Sequence, residues 1–218
     1  MGREVDLLAR YPRTNRDITG RLKAKTESDR TVARKFGKEF FDGDRKHGYG
    51  GFRYDPKYWQ SVVEDIKNFY GLDASSRILD VGCAKGFMLY DFKRIVGCAV
   101  KGIDISEYAI ENSLEAVRPF LDVADARELP FPDDCFDLVI SVNTIHNLDG
   151  DCLVKALNEI QRVSKRHTFI TVDAYRSEQE SEAMFAWNLT AKTILSTDDW
   201  KELFGRVGYQ GDYFWFIP

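Results

Sequence analysis

The sequence has few of the residues that mark metal sites and secreted scaffolds. Its 218 residues include only three histidines and four cysteines, namely Cys83, Cys98, Cys135 and Cys152. None of these forms a Cys-x-x-Cys pair, and their density is far below that of a disulfide scaffold, so we predict reduced thiols and no metal site. No stretch approaches the roughly 18 apolar residues of a membrane span, and the N-terminus lacks the apolar core of a signal peptide. These absences predict a soluble, cytoplasmic protein.

The sequence also has no overall excess of positive charge. The formal net charge is −4, which gives no overall attraction to nucleic acid or to an anionic membrane, so we expect neither as a partner. Residues 1–46 contain 13 Lys/Arg and 8 Asp/Glu, whereas the remainder contains 18 and 27. The basic segment is typical either of a solvated helical face or of a contact with an anionic partner. No pattern indicates an oligomeric state.

Two regions differ in their patterning. In the first, residues 1–58, apolar residues such as Val32, Phe36 and Phe40 recur at helical spacing, and glycines then alternate with aromatics over residues 47–56. This predicts N-terminal helices followed by an ordered loop. The second region, residues 59–218, opens with a predicted helix through Trp59 and Phe69.

From residue 77 onward, β-rich runs alternate with helical patterns. Such alternation is typical of a doubly wound α/β domain with a mostly parallel sheet. The predicted strands are residues 77–81, 99–103, 120–124, 136–142, 168–172 and 213–217. The predicted helices are residues 87–95, 107–117, 151–163 and one that begins near Thr197.

Glycines follow the first predicted strand, in the order Asp80-Val-Gly82-Cys-Ala84-Lys-Gly86. A strand that runs through such a turn into a helix presents backbone N–H groups to an anion, although a tight turn without a ligand is the alternative. The dinucleotide fingerprint requires glycine at the first, third and sixth places, and here only Gly82 satisfies it.

The stretch instead resembles motif I of class I S-adenosylmethionine-dependent methyltransferases, with Asp80, Gly82 and Gly86 in place and Ala84 and Lys85 as departures. The resemblance implies a Rossmann-like methyltransferase fold with seven strands, and S-adenosylmethionine as the cofactor. It also places the intervening Cys83 in the cofactor-binding turn.

Three further segments match the same family in the same order. Asp104 follows Asp80 by 24 residues and ends the second predicted strand, as the ribose-binding acid of that family does. Asp125 ends the third predicted strand and resembles the adenine-contacting acid, and residues 136–141 match the fourth-strand motif. The resemblance implies cofactor contacts from these acids and from their neighbours Ile105 and Ala126.

The loop after the fourth predicted strand contains Asn143 and His146. It lies at the carboxyl ends of the strands, where open α/β sheets bind ligands. We expect Asn143 to contact the methionine part of the cofactor. His146 is the candidate catalytic base, and a hydrogen-bonded structural histidine is the alternative.

Other candidate site residues are expected near the carboxyl ends of the strands. Tyr49 and Tyr54, in the aromatic loop, are expected to fold over the cofactor and the substrate respectively, or else to pack the N-terminal helices. Asp173 and Tyr175, after the fifth predicted strand, and Lys192 are candidate substrate-binding residues, with a plain turn and a solvated lysine as alternatives.

The resemblance implies methyl transfer to an oxygen or nitrogen of a small metabolite, and a sugar or polysaccharide precursor fits. Methyl transfer from a sulfonium mainly requires alignment and the exclusion of water. Two alternatives remain at this stage. One is a non-catalytic module that retains the fold and engages a protein partner, and the other is a nicotinamide oxidoreductase.

Overall fold

The computed structural model describes residues 2–12 and 25–217. Over these residues there are seven strands, namely β1 Arg77–Val81, β2 Ala99–Asp104, β3 Leu121–Val123, β4 Phe136–Val142, β5 Ser164–Tyr175, β6 Leu195–Ser196 and β7 Asp212–Phe216. The helices in the same part of the chain are α1 Glu27–Ala33, α2 Lys38–Phe41, α3 Pro56–Tyr70, α4 Phe87–Ile95, α5 Glu107–Glu111, α6 Gly150–Arg162, α7 Glu178–Trp187 and α8 Thr197–Val207. Two short 3-10 turns cover Arg118–Phe120 and Ile145–Asn147.

The strands form one sheet in the order β3-β2-β1-β4-β5-β6, and β7 also pairs with β5. Each of the six strand pairings is parallel. In the register, Asp80 of β1 lies beside Gly102 of β2 and Ile140 of β4. The carboxyl ends of β1, β2, β3 and β4 therefore share one edge, which confirms the predicted parallel arrangement.

Each face of the sheet is covered by helices. On one face, β-strand residues such as Ile78 and Leu138 pack with Ile66 of α3 and Phe92 of α4. On the other face, residues such as Val139 and Ile170 pack with Leu157 of α6 and with Trp200 and Phe204 of α8. Two separate apolar clusters on opposite faces confirm the doubly wound α/β class.

Local sequence signals explain why several helices start and stop where they do. The Asp55 carboxylate caps α3 by accepting from Lys57 N–H at 3.1 Å, Pro56 occupies its first turn, and Gly71 ends it in the left-handed conformation. Ser196 caps α8 by accepting from Asp199 N–H at 3.0 Å. These caps satisfy backbone groups that a helix end would otherwise leave unpaired.

The helix predicted at residues 107–117 is wrong in its second half, because α5 ends at Glu111. The Asn112 and Ser113 side chains donate to the carbonyls of Tyr108 and Ile110, at 2.8 and 2.6 Å. Such bonds offer the backbone an alternative to further helix. The chain then turns back, and Leu114 N–H donates to the carbonyl of residue 85. Helix α7 was not predicted from the sequence.

The first described residues border the sheet. Glu4 forms a parallel bridge with Tyr213 of β7. The Arg3 guanidinium pairs with the Asp212 carboxylate at 3.0 Å, and Tyr70 OH donates to the same carboxylate. Residues 3–5 thus shield the outer side of β7, where unpaired strand edges invite association.

Residues 25–54, which we call the lid segment, contain α1, α2 and the aromatic loop. The predicted N-terminal helices are confirmed only as these two short helices, and residues 13–24, where that prediction also falls, lie outside the described residues. The loop at residues 47–55 is non-helical as predicted, with positive φ at Gly50 and Gly51. In the parts of the chain that the structure describes, no helix is long and apolar enough to cross a membrane.

Candidate functional site

The turn after β1 is fixed by backbone hydrogen bonds to the neighbouring strand. The N–H groups of Gly82 and Cys83 both donate to the Ile103 carbonyl, at 2.8 and 2.9 Å. Gly82 has a φ of +88°, and α4 begins directly after Gly86, which has a φ of +75°. No side chain caps α4, so its positive end at this turn favours an anionic group.

Ala84 adopts the left-handed conformation, with a φ of +49°. Such a φ is disfavoured for an alanine by roughly 1–2 kcal/mol, because Cβ crowds the following carbonyl. The Ala84 N–H donates to Asp104 Oδ2 at 2.8 Å, which helps to hold the turn. The alanine therefore adopts the backbone conformation that a glycine takes freely.

Asp104 ends β2 and is almost completely buried. Besides the Ala84 N–H, its carboxylate accepts the Ser106 N–H at 2.8 Å through Oδ1. Burial raises the pKa of Asp104, and the backbone N–H groups oppose that shift. Each oxygen retains a further lone pair, so the carboxylate is both fixed and still able to accept a ligand hydroxyl.

Asp80 lies beside Asp104 and is also buried. Burial, and then the charge of Asp104, raise the pKa of Asp80 to about 8. Burial raises the pKa of the neighbouring Cys83 thiol as well. Asp80 is therefore mostly protonated at neutral pH, and Cys83 is an inert thiol that packs in the core.

The raised pKa of Asp80 predicts a specific pH dependence of stability. Between about pH 4 and pH 8 the native state holds a proton that the unfolded state has lost, so this group makes the free energy of unfolding fall as the pH rises. In urea unfolding, we expect the free energy of unfolding of Asp80→Asn to rise relative to that of the wild type between pH 5 and pH 8. The relative rise should be a few kcal/mol at most. Parallel pH curves for the two proteins would contradict the assignment.

Three of the predicted cofactor-binding residues line the same edge. Ile105 follows Asp104 directly and is 57% exposed, which is high for an isoleucine. Asp125 and Ala126 follow β3 and are half-buried. Arg127 donates to both oxygens of Asp125 through Nε, at 2.9 Å each, and lowers the pKa of that carboxyl. Asp125 is thus kept ionised by a partner that sequence patterning did not indicate.

After β4, Asn143 and Thr144 approach the glycine turn. Asn143 has a φ of +52°, and its Oδ1 accepts from Thr171 Oγ1 of β5 at 2.8 Å. The Thr144 side chain lies against Gly82 so closely that a Cβ at that glycine would overlap it. The packing of the loop after β4 against this turn therefore requires a residue without a side chain at position 82.

His146 lies in the 3-10 turn that follows β4 and is only 3% exposed. Its Nδ1 accepts the N–H of Asp173 at 2.9 Å. Burial lowers the pKa of His146, and the Asp173 carboxylate, 3.6 Å from Nδ1, opposes the shift only in part. The ring is therefore neutral near pH 7, with its proton on Nε2.

This tautomer favours the hydrogen-bonded structural role of His146, which is the alternative to the predicted base, and the base role stays a prediction. A base at Nε2 would need its proton on Nδ1, and the bond from the Asp173 N–H would then be lost. The carbonyl of His146 also accepts the N–H groups of Lys192 and Thr193, at 3.0 and 2.9 Å. The hydrogen bonds make His146 an anchor between β5 and the loop that follows α7.

Asp173 holds neighbouring residues in place at the carboxyl-terminal edge of the sheet. Its carboxylate accepts from the Asn188 side-chain amide, and its carbonyl accepts from Trp200 Nε1 at 2.9 Å. Tyr175 ends β5 and is half-buried. Lys192 is about half exposed, and its Nζ lies 3.8 Å from Asp149. Asp173 is thus a buried structural acceptor, whereas Tyr175 and Lys192 lie nearer the surface.

The two lid tyrosines have different surroundings. Tyr49 is 43% exposed, and its ring packs against Phe52 at a centroid distance of 4.3 Å. The hydroxyl of Tyr54 instead donates to Asp91 of α4 at 2.8 Å, and its ring contacts Tyr90. The buried carboxylate of Asp91 thus accepts the hydrogen bond of the Tyr54 hydroxyl, and the substrate contact of Tyr54 stays a prediction.

In the described ranges, no group of three or more His, Cys, Asp or Glu residues is arranged to hold a metal ion. At the edge formed by the carboxyl ends of the strands, the polar side chains instead lie at the ends of separate strands. Asp104 ends β2, Asp125 and Asn143 follow β3 and β4, and the glycine turn follows β1. This is the position at which open α/β sheets bind ligands.

Residues 79–172 match a protein family described as a methyltransferase domain. The match begins in β1 and ends in β5, so it includes the carboxyl ends of β1, β2, β3 and β4 but not Asp173 and Tyr175. Over these residues the chain is similar to that methyltransferase domain, in agreement with the motifs in its sequence. The sheet resembles that of the YcgJ protein of Bacillus subtilis, with a TM-score of 0.55 at 18% identity and coverage of 66% of each chain.

Two curated relatives widen the comparison. A mitochondrial arginine-hydroxylase of Rattus norvegicus is 35% identical over 145 residues, which are 60% of this chain and 41% of that protein. The 27-O-demethylrifamycin SV methyltransferase of Amycolatopsis mediterranei is 33% identical over 94 residues, which are 40% of this chain and 35% of that enzyme. The chain thus spans less than half the length of either relative.

S-adenosylmethionine is the cofactor that the match to the methyltransferase domain implies, and the carboxyl-terminal edge of the sheet fits it. The fixed carboxylate of Asp104 suits ribose hydroxyls, and the exposed Ile105 beside it suits an apolar base. The uncapped N-terminus of α4 suits the carboxylate of the methionine part. The residues that resemble the class I methyltransferase motifs therefore meet at one site.

Proposed function

We propose that this protein transfers a methyl group from S-adenosylmethionine to an oxygen or nitrogen atom of a small metabolite. The observation that carries the proposal is the fixed Asp104 carboxylate between the motif I turn and the exposed Ile105. The match of residues 79–172 to the methyltransferase domain supports it. The Amycolatopsis relative, whose name records a methylated rifamycin, supports a small acceptor.

The residues take distinct roles in this proposal. Asp104 binds the ribose, and Ile105, Ala126 and Asp125 receive the adenine. The motif I turn and Asn143 hold the methionine part. When bound, S-adenosylmethionine supplies a methyl group already activated on its sulfonium, so the protein has mainly to align the acceptor and exclude water.

The acceptor side is formed by groups around the ends of β4 and β5. His146 Nε2 donates a hydrogen bond and orients an acceptor oxygen or carbonyl, and the carboxylate of Asp173 stabilises the loop that carries Asn188. Tyr49, Tyr175 and Lys192 stand at the more exposed positions, where they contact the acceptor's outer part. A cytoplasmic location and the absence of nucleic-acid partners stay predictions.

The role of His146 is tested by His146→Gln, because glutamine can accept the Asp173 N–H and still donate outward. We expect kcat to fall less than about tenfold, whereas loss of a general base costs about 10²–10⁴. His167→Gln, on the same sheet but at the start of β5, is the matched control. A loss of a hundredfold or more in kcat with unchanged KM would restore the base role.

The function itself is tested by incubating the protein with isotopically methyl-labelled S-adenosylmethionine and fractionated small metabolites. Mass spectrometry should show one metabolite that gains the mass of CH₂ together with the label. A metabolite that instead gains one oxygen atom would favour chemistry like that named for the rat relative. Cofactor binding without any labelled product would favour a non-catalytic binding module.

A further inference from the structure

One carboxylate of the lid segment receives three hydrogen bonds from different parts of the chain. Asp42 accepts from Lys85 Nζ at 2.6 Å, from Tyr108 OH at 2.7 Å and from Phe52 N–H at 2.9 Å. Burial alone would raise the pKa of Asp42, but these donors together lower it. The carboxylate is therefore ionised and tightly held at neutral pH.

Lys85 is the unusual partner, because it belongs to the motif I turn. Its side chain is only 7% exposed, which is rare for a lysine and requires a paired charge. Besides Asp42, its Nζ donates to the Phe52 carbonyl at 3.1 Å. Both of these side-chain hydrogen bonds therefore connect the motif I turn to the lid segment.

Aromatic packing extends the same contact. The Phe52 ring stacks on Phe87, the first residue of α4, at a centroid distance of 4.7 Å. Phe41 packs against Phe52 and Tyr108. The lid segment is thus attached to both the first turn of α4 and the start of α5, which border the expected cofactor position.

Other contacts attach the lid segment on either side of the site. The Phe36 carbonyl accepts from Ser106 Oγ, just beyond Asp104. Lys25 and Arg30 donate to the carbonyls of Trp187 and Asn188, next to the Asp173 network. The segment therefore reaches from the end of β2 to the loop after α7, and it borders both the donor and the acceptor side of the edge.

We infer that Lys85 is a positioning residue whose ion pair with Asp42 fastens the lid segment to the motif I turn and thereby limits the rate at which the cofactor leaves. The inference rests on the proposed cofactor site. Its physical basis is that Lys85 is buried and Asp42 is partly buried, so that separating the pair removes the partner of a buried ammonium and pulls Phe52 away from Phe87. Cofactor release then requires the pair to break.

The test measures release of S-adenosylhomocysteine by stopped-flow displacement and hydrogen exchange of the cofactor-free protein. Lys85→Met should raise the dissociation rate constant at least about tenfold, because breaking a buried pair is strongly unfavourable, with little change in the association rate constant. Exchange should rise across residues 42–54 and stay unchanged in β1 and β4. Lys93→Met, at an exposed position of α4, is the matched control and should change neither quantity.

A double variant distinguishes loss of the ion pair from a local folding defect. If the pair is the relevant interaction, Lys85→Met/Asp42→Asn should release the cofactor no faster than the worse single variant. Unchanged dissociation in Lys85→Met, with or without faster exchange, would overturn the inference while leaving the proposed function intact. A wild-type protein that binds neither S-adenosylmethionine nor its demethylated product would instead refute the proposed function.

Discussion

Replacing Asp104 with alanine is expected to weaken S-adenosylmethionine binding by about 1–3 kcal/mol, or roughly 5- to 150-fold in the dissociation constant. Two losses combine in this effect. The carboxylate no longer accepts the ribose hydroxyls, and the N–H groups of Ala84 and Ser106 lose their acceptor. The second loss frees the turn that receives the methionine part. Titration calorimetry measures the dissociation constant directly.

The matched control is Asp122→Ala, one strand away on β3. Asp122 is exposed and pairs with Lys101, so its removal should leave the dissociation constant unchanged, as is usual for surface ion pairs. Equal affinity of wild type and Asp104→Ala for S-adenosylmethionine would remove Asp104 from the cofactor site. A loss of affinity in both variants would point to a general change in the sheet.

Replacing Gly82 with alanine is expected to lower the free energy of unfolding by about 2–5 kcal/mol, the largest stability effect in the chain that we predict. A φ of +88° costs a residue with Cβ about 1–3 kcal/mol, and the overlap with Thr144 adds a similar amount. Urea unfolding followed by circular dichroism measures the sum.

The two contributions at Gly82 can be separated. Gly97→Ala imposes a similar φ, +76°, but its Cβ would meet only Ala74 at 3.8 Å, so it measures the backbone cost alone. The double variant Gly82→Ala/Thr144→Gly should recover the part of the lost unfolding free energy that comes from steric overlap. The part that comes from the backbone conformation should remain lost. If Gly82→Ala costs no more than Gly97→Ala, the close packing of the β4 loop on the turn is not the constraint.

The parallel sheet was predictable because its signals are local. Short apolar runs, turn glycines and helix caps recur along the chain, and they place Asp80, Asp104 and Asp125 at neighbouring strand ends without any knowledge of distant contacts. The same logic failed for residues 112–117, where the Asn112 and Ser113 side chains compete for backbone groups. A helical apolar pattern does not record that competition.

The contacts that determine the roles of individual side chains were not predictable. Lys85 and Asp42 are 43 residues apart, and the departure of Lys85 from the family motif was the only signal in the sequence. The tautomer of His146 depends on an N–H of β5, 27 residues further on. Burial and long-range partners decide such chemistry, and neither is encoded in a short motif.

The most direct test of the cofactor site is a calorimetric titration of the wild-type chain with S-adenosylmethionine, S-adenosylhomocysteine and NADH in parallel. The structure predicts saturable binding of the first two at one site per chain and no binding of NADH, because the turn after β1 lacks the dinucleotide glycines. Absence of binding to both sulfur compounds, or saturable binding of NADH, would contradict the assignment of this edge as an S-adenosylmethionine site.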